Sequence, residues 1–323
     1  MNRKLFSGIL ALCINLLFLN VQEFRMSMAA LSTNQPDNLA RYAFQHPQMG
    51  TLFKILMYAE DSLQASAAAH AAFARIDTLN AMLSDYREDS ELSRLSARAG
   101  DGEWIAVSEE LWLLLGQSIQ MAILTDGAFD PTIGPLSKLW RKAFRQGSFP
   151  DTAALRIAKE KVGYCHLQFH HTQQLVRLRR PGMRLDLGGI AKGYAVDAAM
   201  AVLRECSIPA ALVDGGGDLL AGDPPPDKAG WRVAIGKDTV LTISRQAVAT
   251  SGDSYRYLEW QGQRYSHIID PRTGLGVSHG RQATVMATDC TTADALASAL
   301  SVEPALKNRI KRIFPGAEAI IRE

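Results

Sequence analysis

Apolar residues along this chain recur at two spacings that change from one short stretch to the next, so strands and helices are mixed and no segment repeats. Thr51 to Tyr58 reads as a strand, followed by a helix in which Ala72, Phe73, Ile76, Leu79 and Leu83 return at helical spacing. A second helix is expected over Ser108 to Leu124, opened by Ser108 with Glu110 in its first turn and stopped before Asp126 and Gly127. From there to Trp140 the chain reads as turn-rich. Leu175 to Arg179 and Met183 to Leu187 read as two strands turned at Pro181 and Gly182, after which Gly188 and Gly189 lead into a helix running to about Glu205. Ala210 to Val213 is a further short strand, and Trp231–Ile235, Thr239–Ile243, Tyr255–Trp260 and Tyr265–Ile269 resemble a meander. A last helix begins near Thr291 or Thr292 and contains Leu296, Leu300 and Val302. Helices and antiparallel strands in this irregular order predict an α+β fold with mixed, largely antiparallel sheets and packed helices, not a doubly wound sheet.

The first thirty residues stand apart. Arg3 and Lys4 precede an apolar stretch from Leu5 to Val21, which reads as a secretory signal or an N-terminal anchor. The expected place of the protein is therefore outside the cytoplasm, in the periplasm, free or attached to the inner membrane by this segment. Leu10, Ala11, Leu12 and Cys13 imitate a lipid-attachment signal, against which stand the bulky Leu12 and the apolar residues after Cys13. Residues 31–47 read as a polar linker and residues 48–323 as one main domain. No second apolar run approaches the roughly 20 residues that span a bilayer.

Composition narrows the function by exclusion. A net charge of +2 on 323 residues advertises neither nucleic acid nor an anionic surface as the main partner. Cys165, Cys206 and Cys290 are far apart and lack metal-type spacing, so a zinc site and a disulfide framework are both disfavoured. The Gly215 to Leu220 stretch has Leu220 where a dinucleotide fingerprint needs its third Gly, and Pro224, Pro225 and Pro226 follow instead of a helix. Gly188 to Gly193 contains Lys192 without the spacing of a phosphate loop, and no zinc-protease helix or serine-hydrolase elbow occurs. His170 and His171 sit in a polar stretch and read as solvated surface.

Three junctions carry oxygen donors and glycines. At Asp186 to Gly193 a carboxylate ends a strand and bare backbone opens a helix, an arrangement that receives a phosphate or offers a carbonyl to a hard cation. A tight corner capped by Asp186 fits the same residues. On the late helix Asp294 and Ser298 are four apart and share a face, as two ligands of one magnesium ion would. Thr291 followed by Asp294 also fits a capping box, with Ser298 as packing. In Ser266 to Gly274, alternation puts His267 and Ile269 on one face, which fits a half-buried structural histidine. The chemical alternative is a base that takes the proton of an attacking hydroxyl.

Taken in order, the motifs resemble those of ApbE-type FAD:protein FMN transferases over roughly Gln48 to Val302. They are Met49-Gly50-Thr51, Leu83-Ser84-Asp85-Tyr86 with Asp89-Ser90-Glu91-Leu92, Gly127-Ala128-Phe129-Asp130 with Gly134-Pro135-Leu136 and Trp140, Asp186 to Gly193, Gly216-Gly217-Asp218, Thr250-Ser251-Gly252, Ser266 to Gly274, and Ala293-Asp294-Ala295. The resemblance implies the T-fold-like architecture of that family and a magnesium-dependent enzyme that splits FAD, joins FMN to a Thr or Ser hydroxyl of a target flavoprotein, and releases AMP. It implies Met49, Tyr86, Ala128, Phe129, Asp130, Asp186, Lys192 and Ile268 as FAD contacts. The Gly189 carbonyl, Asp294 and Ser298 would hold the metal, and His267 would be the catalytic base. Ser298 stands where the family commonly has Thr, Gly189 where Ala or Thr is commoner, and Ser96 where Asn is frequent. Two other functions fit the same motifs: an FAD pyrophosphatase, with water in place of the protein hydroxyl, and a flavin-binding protein without turnover.

Overall fold

Alternation sets the central strand. Phe53, Ile55, Met57 and Ala59 are fully buried, while the residues between them face the other side of the sheet or solvent. The structure, a computed structural model, describes residues 39–170, 172–236, 239–252 and 257–322. The expected leader over 1–30, the start of the expected linker, His171 and Tyr255 lie outside the described residues.

The first half of the chain contains β1 (Ala40–Gln48), β2 (Thr51–Ala59), α1 (Ser62–Leu83), α2 (Glu91–Ala97), β3 (Ile105–Ala106), α3 (Glu109–Leu124), α4 (Gly134–Gln146), α5 (Thr152–Glu160), β4 (Leu167–Phe169) and β5 (Leu175–Leu178). The second half contains α6 (Ala191–Glu205), β6 (Ala211–Asp214), β7 (Leu219–Ala221), β8 (Trp231–Ile235), β9 (Thr239–Ile243), β10 (Gln246–Ser251), β11 (Tyr257–Trp260), β12 (Gln263–Ser266), β13 (Gln282–Ala287), α7 (Cys290–Val302), α8 (Lys307–Ile313) and β14 (Glu318–Arg322). Seven strands form one antiparallel sheet in the order β1-β2-β6-β7-β10-β13-β14.

Helices α1, α6 and α7 cover one face of that sheet. Small residues allow the close approach: Ala65, Ala68, Ala69 and Ala72 of α1 and Ala195 and Ala199 of α6 are all buried in the same core. The opposite face is closed by the β8–β9 hairpin, whose Trp231, Val233 and Ile235 pack on Leu212, Leu219 and Val248. A satellite core joins α4, α5 and the β11–β12 hairpin through Leu136, Trp140, Leu155, Leu258 and Ile269.

The α+β architecture is as expected, with four local corrections. The segment expected as linker through residue 47 is a strand from Ala40, because Tyr42, Phe44 and His46 are half-buried on one face of an edge strand that pairs with β2 along its whole length. The stretch before Trp140 is not all turn: Pro135 sits in the first turn of α4, where its missing N–H is harmless, and Gly147 ends the helix in a left-handed conformation. Met183 to Leu187 is extended but is no strand, since only Arg184 bridges to Ile133. The meander is instead two separate hairpins, β8–β9 and β11–β12, with β10 between them in the central sheet.

Candidate active site

The first turns of α6 and the start of α7 are locked together by Asp197, Asp294 and one glycine. Asp197 of α6 accepts from the Cys290 and Thr291 amides, both at 2.8 Å, and from the Thr291 hydroxyl at 2.5 Å. Asp289 caps α7 by accepting from the Thr292 amide at 2.8 Å. These bonds satisfy the first amides of α7 from outside the helix, so the capping box expected between Thr291 and Asp294 does not form. Gly193 lies one turn before Asp197, and a methyl there would stand 2.2 Å from the Cys290 carbonyl oxygen. Only glycine permits this crossing.

That crossing delivers Asp294 to the mouth of α6. The Gly193 amide donates to Asp294 Oδ2 at 3.0 Å, using an N–H that the first turn of a helix leaves free. Lys192 Nζ lies 3.8 Å from Asp294 Oδ1 and is bonded directly to Asp218 at the end of the glycine loop after β6. Burial and the Asp218 charge push the Asp294 carboxyl up to about 7, against the opposing pull of Lys192 and the Gly193 amide. Burial would lower the Lys192 ammonium, but Asp294 and Asp218 hold it above the ordinary lysine value.

One turn along α7 the Ser298 side chain meets the glycine corner. A methyl on Gly189 would stand 2.9 Å from Ser298 Oγ and 3.3 Å from the Phe129 ring. Among the described residues nothing hydrogen-bonds to the Ser298 hydroxyl. Gly189 and the Asp294–Ser298 turn of α7, distant in sequence, therefore share one small region with Phe129 as its apolar wall. No group of three or more His, Cys, Asp or Glu side chains that could hold a metal ion occurs among the described residues. The expected donor set has one carboxylate, one hydroxyl and one main-chain carbonyl. An uncommitted hydroxyl beside a buried carboxylate that lacks full charge compensation suits a hard cation that completes its shell with water and phosphate.

A second cluster adjoins the first through Asp186. Its Oδ1 accepts from the Gly188 amide at 2.8 Å, so the tight-corner reading of this carboxylate is realised. Its Oδ2 accepts from Arg141 of α4 at 2.8 Å, and the same guanidinium donates to Asp85 at 2.5 Å. Arg141 also lies 4.0 Å from the ring centroid of Tyr86, a cation–π contact on a side chain that is 72% exposed. Burial and the Asp186 charge raise the Asp85 carboxyl, and Arg141 and Arg184 restrain the rise. Arg184 donates in turn to the Asp85 carbonyl.

The remaining expected contacts are placed as follows. Met49 and Gly50 make the two-residue turn between β1 and β2, with φ of 51° and 73°. Met49 thus holds a left-handed backbone that a non-glycine residue rarely adopts. The turn's neighbour Thr51 abuts Gly216, where a methyl would lie 2.0 Å from its hydroxyl oxygen. Ala128 and Phe129 are buried in the main core. Asp130 spends both oxygens on its own surroundings, accepting from Thr132 and from the Tyr164 amide, and burial raises its carboxyl despite those bonds. Ile268 packs against the main core, with its amide on Ser266 Oγ and its carbonyl accepting from Val277. His267 follows the last residue of β12 in a bend and is exposed, so the half-buried structural reading of this histidine fails. Trp140 fastens its loop to α4 by donating to the Gly274 carbonyl at 2.9 Å.

Sequence reading missed Arg141, Asp197 and Asp218 as members of the site. Asp197 did leave a signal, a lone acid on the alanine-rich inner face of a helix. Arg141 carries none, since the pattern up to Trp140 reads as turn-rich and signals no helix beyond it.

Comparison with known proteins bears on the family and the fold. The family model described as "ApbE family" matches residues 49–321. The chain is 34% identical over 302 residues to an FAD:protein FMN transferase of Treponema pallidum, covering 84% of this chain and 82% of that protein. It is 34% identical over 268 residues to one of Vibrio cholerae, with 79% of each covered. Among solved structures, a histidine-to-glycine variant of the Vibrio cholerae flavin transferase ApbE superposes with a TM-score of 0.78 at 30% identity, over 87% of this chain and 93% of that one. The apo Pseudomonas stutzeri flavinyl transferase ApbE gives 0.78 at 28% identity, over 90% and 93%. By its matched length, its relatives and the fold they share, the chain belongs to the ApbE family.

Proposed function

We propose that the chain is an FAD:protein FMN transferase that uses magnesium, moves FMN from FAD to a Thr or Ser hydroxyl of a target flavoprotein, and releases AMP. The observation that carries this reading is the meeting of Gly189 with Ser298 and of Gly193 with Asp294 across the α6–α7 crossing. Asp294, Ser298 and the Gly189 carbonyl would hold the ion. When bound, magnesium neutralises charge on the cleaving pyrophosphate and orients it.

The protein's own groups do the rest. The Ala191 and Gly193 amides at the start of α6 are engaged by the Leu187 carbonyl and Asp294, so Lys192 is the group there that favours an anion at the glycine corner. Phe129, Met49 and Tyr86 supply apolar and aromatic surface for a ring as large as isoalloxazine. His267 takes the proton of the acceptor hydroxyl, and its exposure is what a base needs when its partner hydroxyl arrives on another polypeptide. We further propose export, with the N-terminal segment as signal or membrane anchor, supported by Arg3 and Lys4 before the apolar run. N-terminal sequencing of the protein from periplasmic and membrane fractions tests that part.

Incubation with FAD, magnesium and a candidate acceptor tests the reaction. A mass increase on the acceptor, equal to FMN joined with loss of water, supports transfer. Free FMN and AMP without that increase would make the chain a pyrophosphatase, and unchanged FAD would leave only binding.

A further inference from the structure

The stretch from Gly134 to Arg184 carries eleven Lys and Arg against two Asp and Glu, in a chain whose net charge is only +2, so the remainder is net acidic. In the fold this stretch builds most of a cleft of about 680 Å³ between α2, α4, α5 and the turn at Gly182. Lys138 and Lys142 stand one helical turn apart on α4 and are both exposed. Lys161 ends α5 on the facing wall, and Arg184 enters from the segment that leads to Asp186. Between these cations the lining is mostly apolar, with Ser93 and Ser96 as its uncharged polar members, and includes Leu139 and Ile157, the latter 48% exposed.

No acidic side chain of the described residues lines the cleft, and Lys138, Lys142 and Lys161 make no ion pair among those residues. Uncompensated like charges around an apolar floor are an arrangement that a partner of opposite charge relieves. The cleft also abuts the candidate active site, because Arg184 holds the Asp85 carbonyl while Asp85 shares Arg141 with Asp186. A cleft walled by three helices admits an extended polypeptide, whereas a bilayer surface is too broad to enter it.

We propose that this cleft holds an acidic segment of the polypeptide that receives FMN, which fixes the acceptor while its hydroxyl reaches the site. This rests on the transferase reading above. The test uses the full chain and the double variant Lys138→Glu/Lys142→Glu, with thermal unfolding to confirm that the variant folds and Lys138→Gln/Lys142→Gln as a milder substitute. In transfer assays the variant raises KM for the acceptor protein by about tenfold or more and leaves KM for FAD unchanged, and added salt weakens only the wild type. An unchanged acceptor KM, or a parallel rise in KM for FAD, overturns the proposal.

A second arm does not depend on turnover. A fluorescein-labelled peptide of alternating Glu and Leu binds the wild type in anisotropy titrations and loses that binding in the variant. The same peptide with Lys in place of Glu binds neither. Equal binding of the Glu peptide to both proteins refutes the cleft as its seat. Phosphatidylglycerol vesicles that sediment the wild type while the peptide fails to bind assign the basic face to a membrane and also refute it. If the wild type binds the Glu peptide but transfers nothing, the transferase reading fails and the acidic docking site stands.

Discussion

Replacing Arg141 by Met should both destabilise the protein and loosen its grip on FAD. Asp85 and Asp186 are each only 8% exposed, and their carboxylates share this one guanidinium at 2.5 and 2.8 Å. Removing one partner of a buried ion pair costs about 3 to 5 kcal/mol, and the shared cation is itself 23% exposed, so the lower figure of about 3 applies. For a domain of this size each kcal/mol moves the midpoint by roughly 2 to 4 °C, which gives a fall of about 6 to 12 °C at pH 7. Acid should shrink the deficit. Burial and Asp186 already raise Asp85, and without Arg141 it rises further above its unfolded value of 3.8. A raised folded pKa means that the folded state holds its proton longer, so the penalty on the charged form is relieved as pH falls. The assay is thermal unfolding by circular dichroism at pH 7 and pH 5, with FAD titrations followed by flavin fluorescence. Arg141→Lys keeps the charge but loses the fork and should fall between the two. A midpoint within a degree of wild type at pH 7, or a deficit that does not shrink in acid, would refute the reasoning.

Other outcomes follow from the same geometry. Asp294→Asn should lower magnesium-dependent turnover by at least about 100-fold, since groups that merely orient a ligand already cost about 10- to 100-fold, with little change in unfolding midpoint; normal metal dependence would remove Asp294 from the site. His267→Ala should keep FAD affinity and slow transfer by about 10² to 10⁴ at neutral pH; an unchanged single-turnover rate would mean another group takes the proton. Gly193→Ala should cost 1 to 3 kcal/mol or about that in urea unfolding, because its methyl would press within 2.2 Å of the Cys290 carbonyl. Burial puts Asp197 at about 6 in the folded state against 3.8 unfolded, so stability from this group falls by up to about 3 kcal/mol as pH rises from about 4 to 6; Asp197→Asn should flatten that slope, and an identical pH profile would exclude it.

The elements readable in the sequence were those whose periodicity is set by one buried face. Helix α1 has Ala72, Phe73, Ile76 and Leu79 turned to one core, and β2 alternates along its length, so both were foreseen. Edge strand β1 was hidden because its half-buried face mixes Tyr42 and Phe44 with His46 and Gln48. Strands β7 and β10 lie in the interior of the central sheet and bury consecutive residues, which erases alternation. At the site, the glycine corner and the Asp294–Ser298 spacing were legible since both are local. The Arg141 clamp and the Asp197 bonds to α7 were not, because each joins residues whose proximity exists only after the helices pack. Asp186 shows how two readings merge: it turns the corner through Gly188 and also faces Arg141.

The bond between the Gly193 amide and Asp294 spans 101 residues of chain. A nascent chain therefore has no catalytic centre until its last long helix has been made and has closed on the earlier one, and loops of that size form slowly. A polypeptide cut before residue 298 keeps the glycine corner but lacks one of the groups proposed above to meet it.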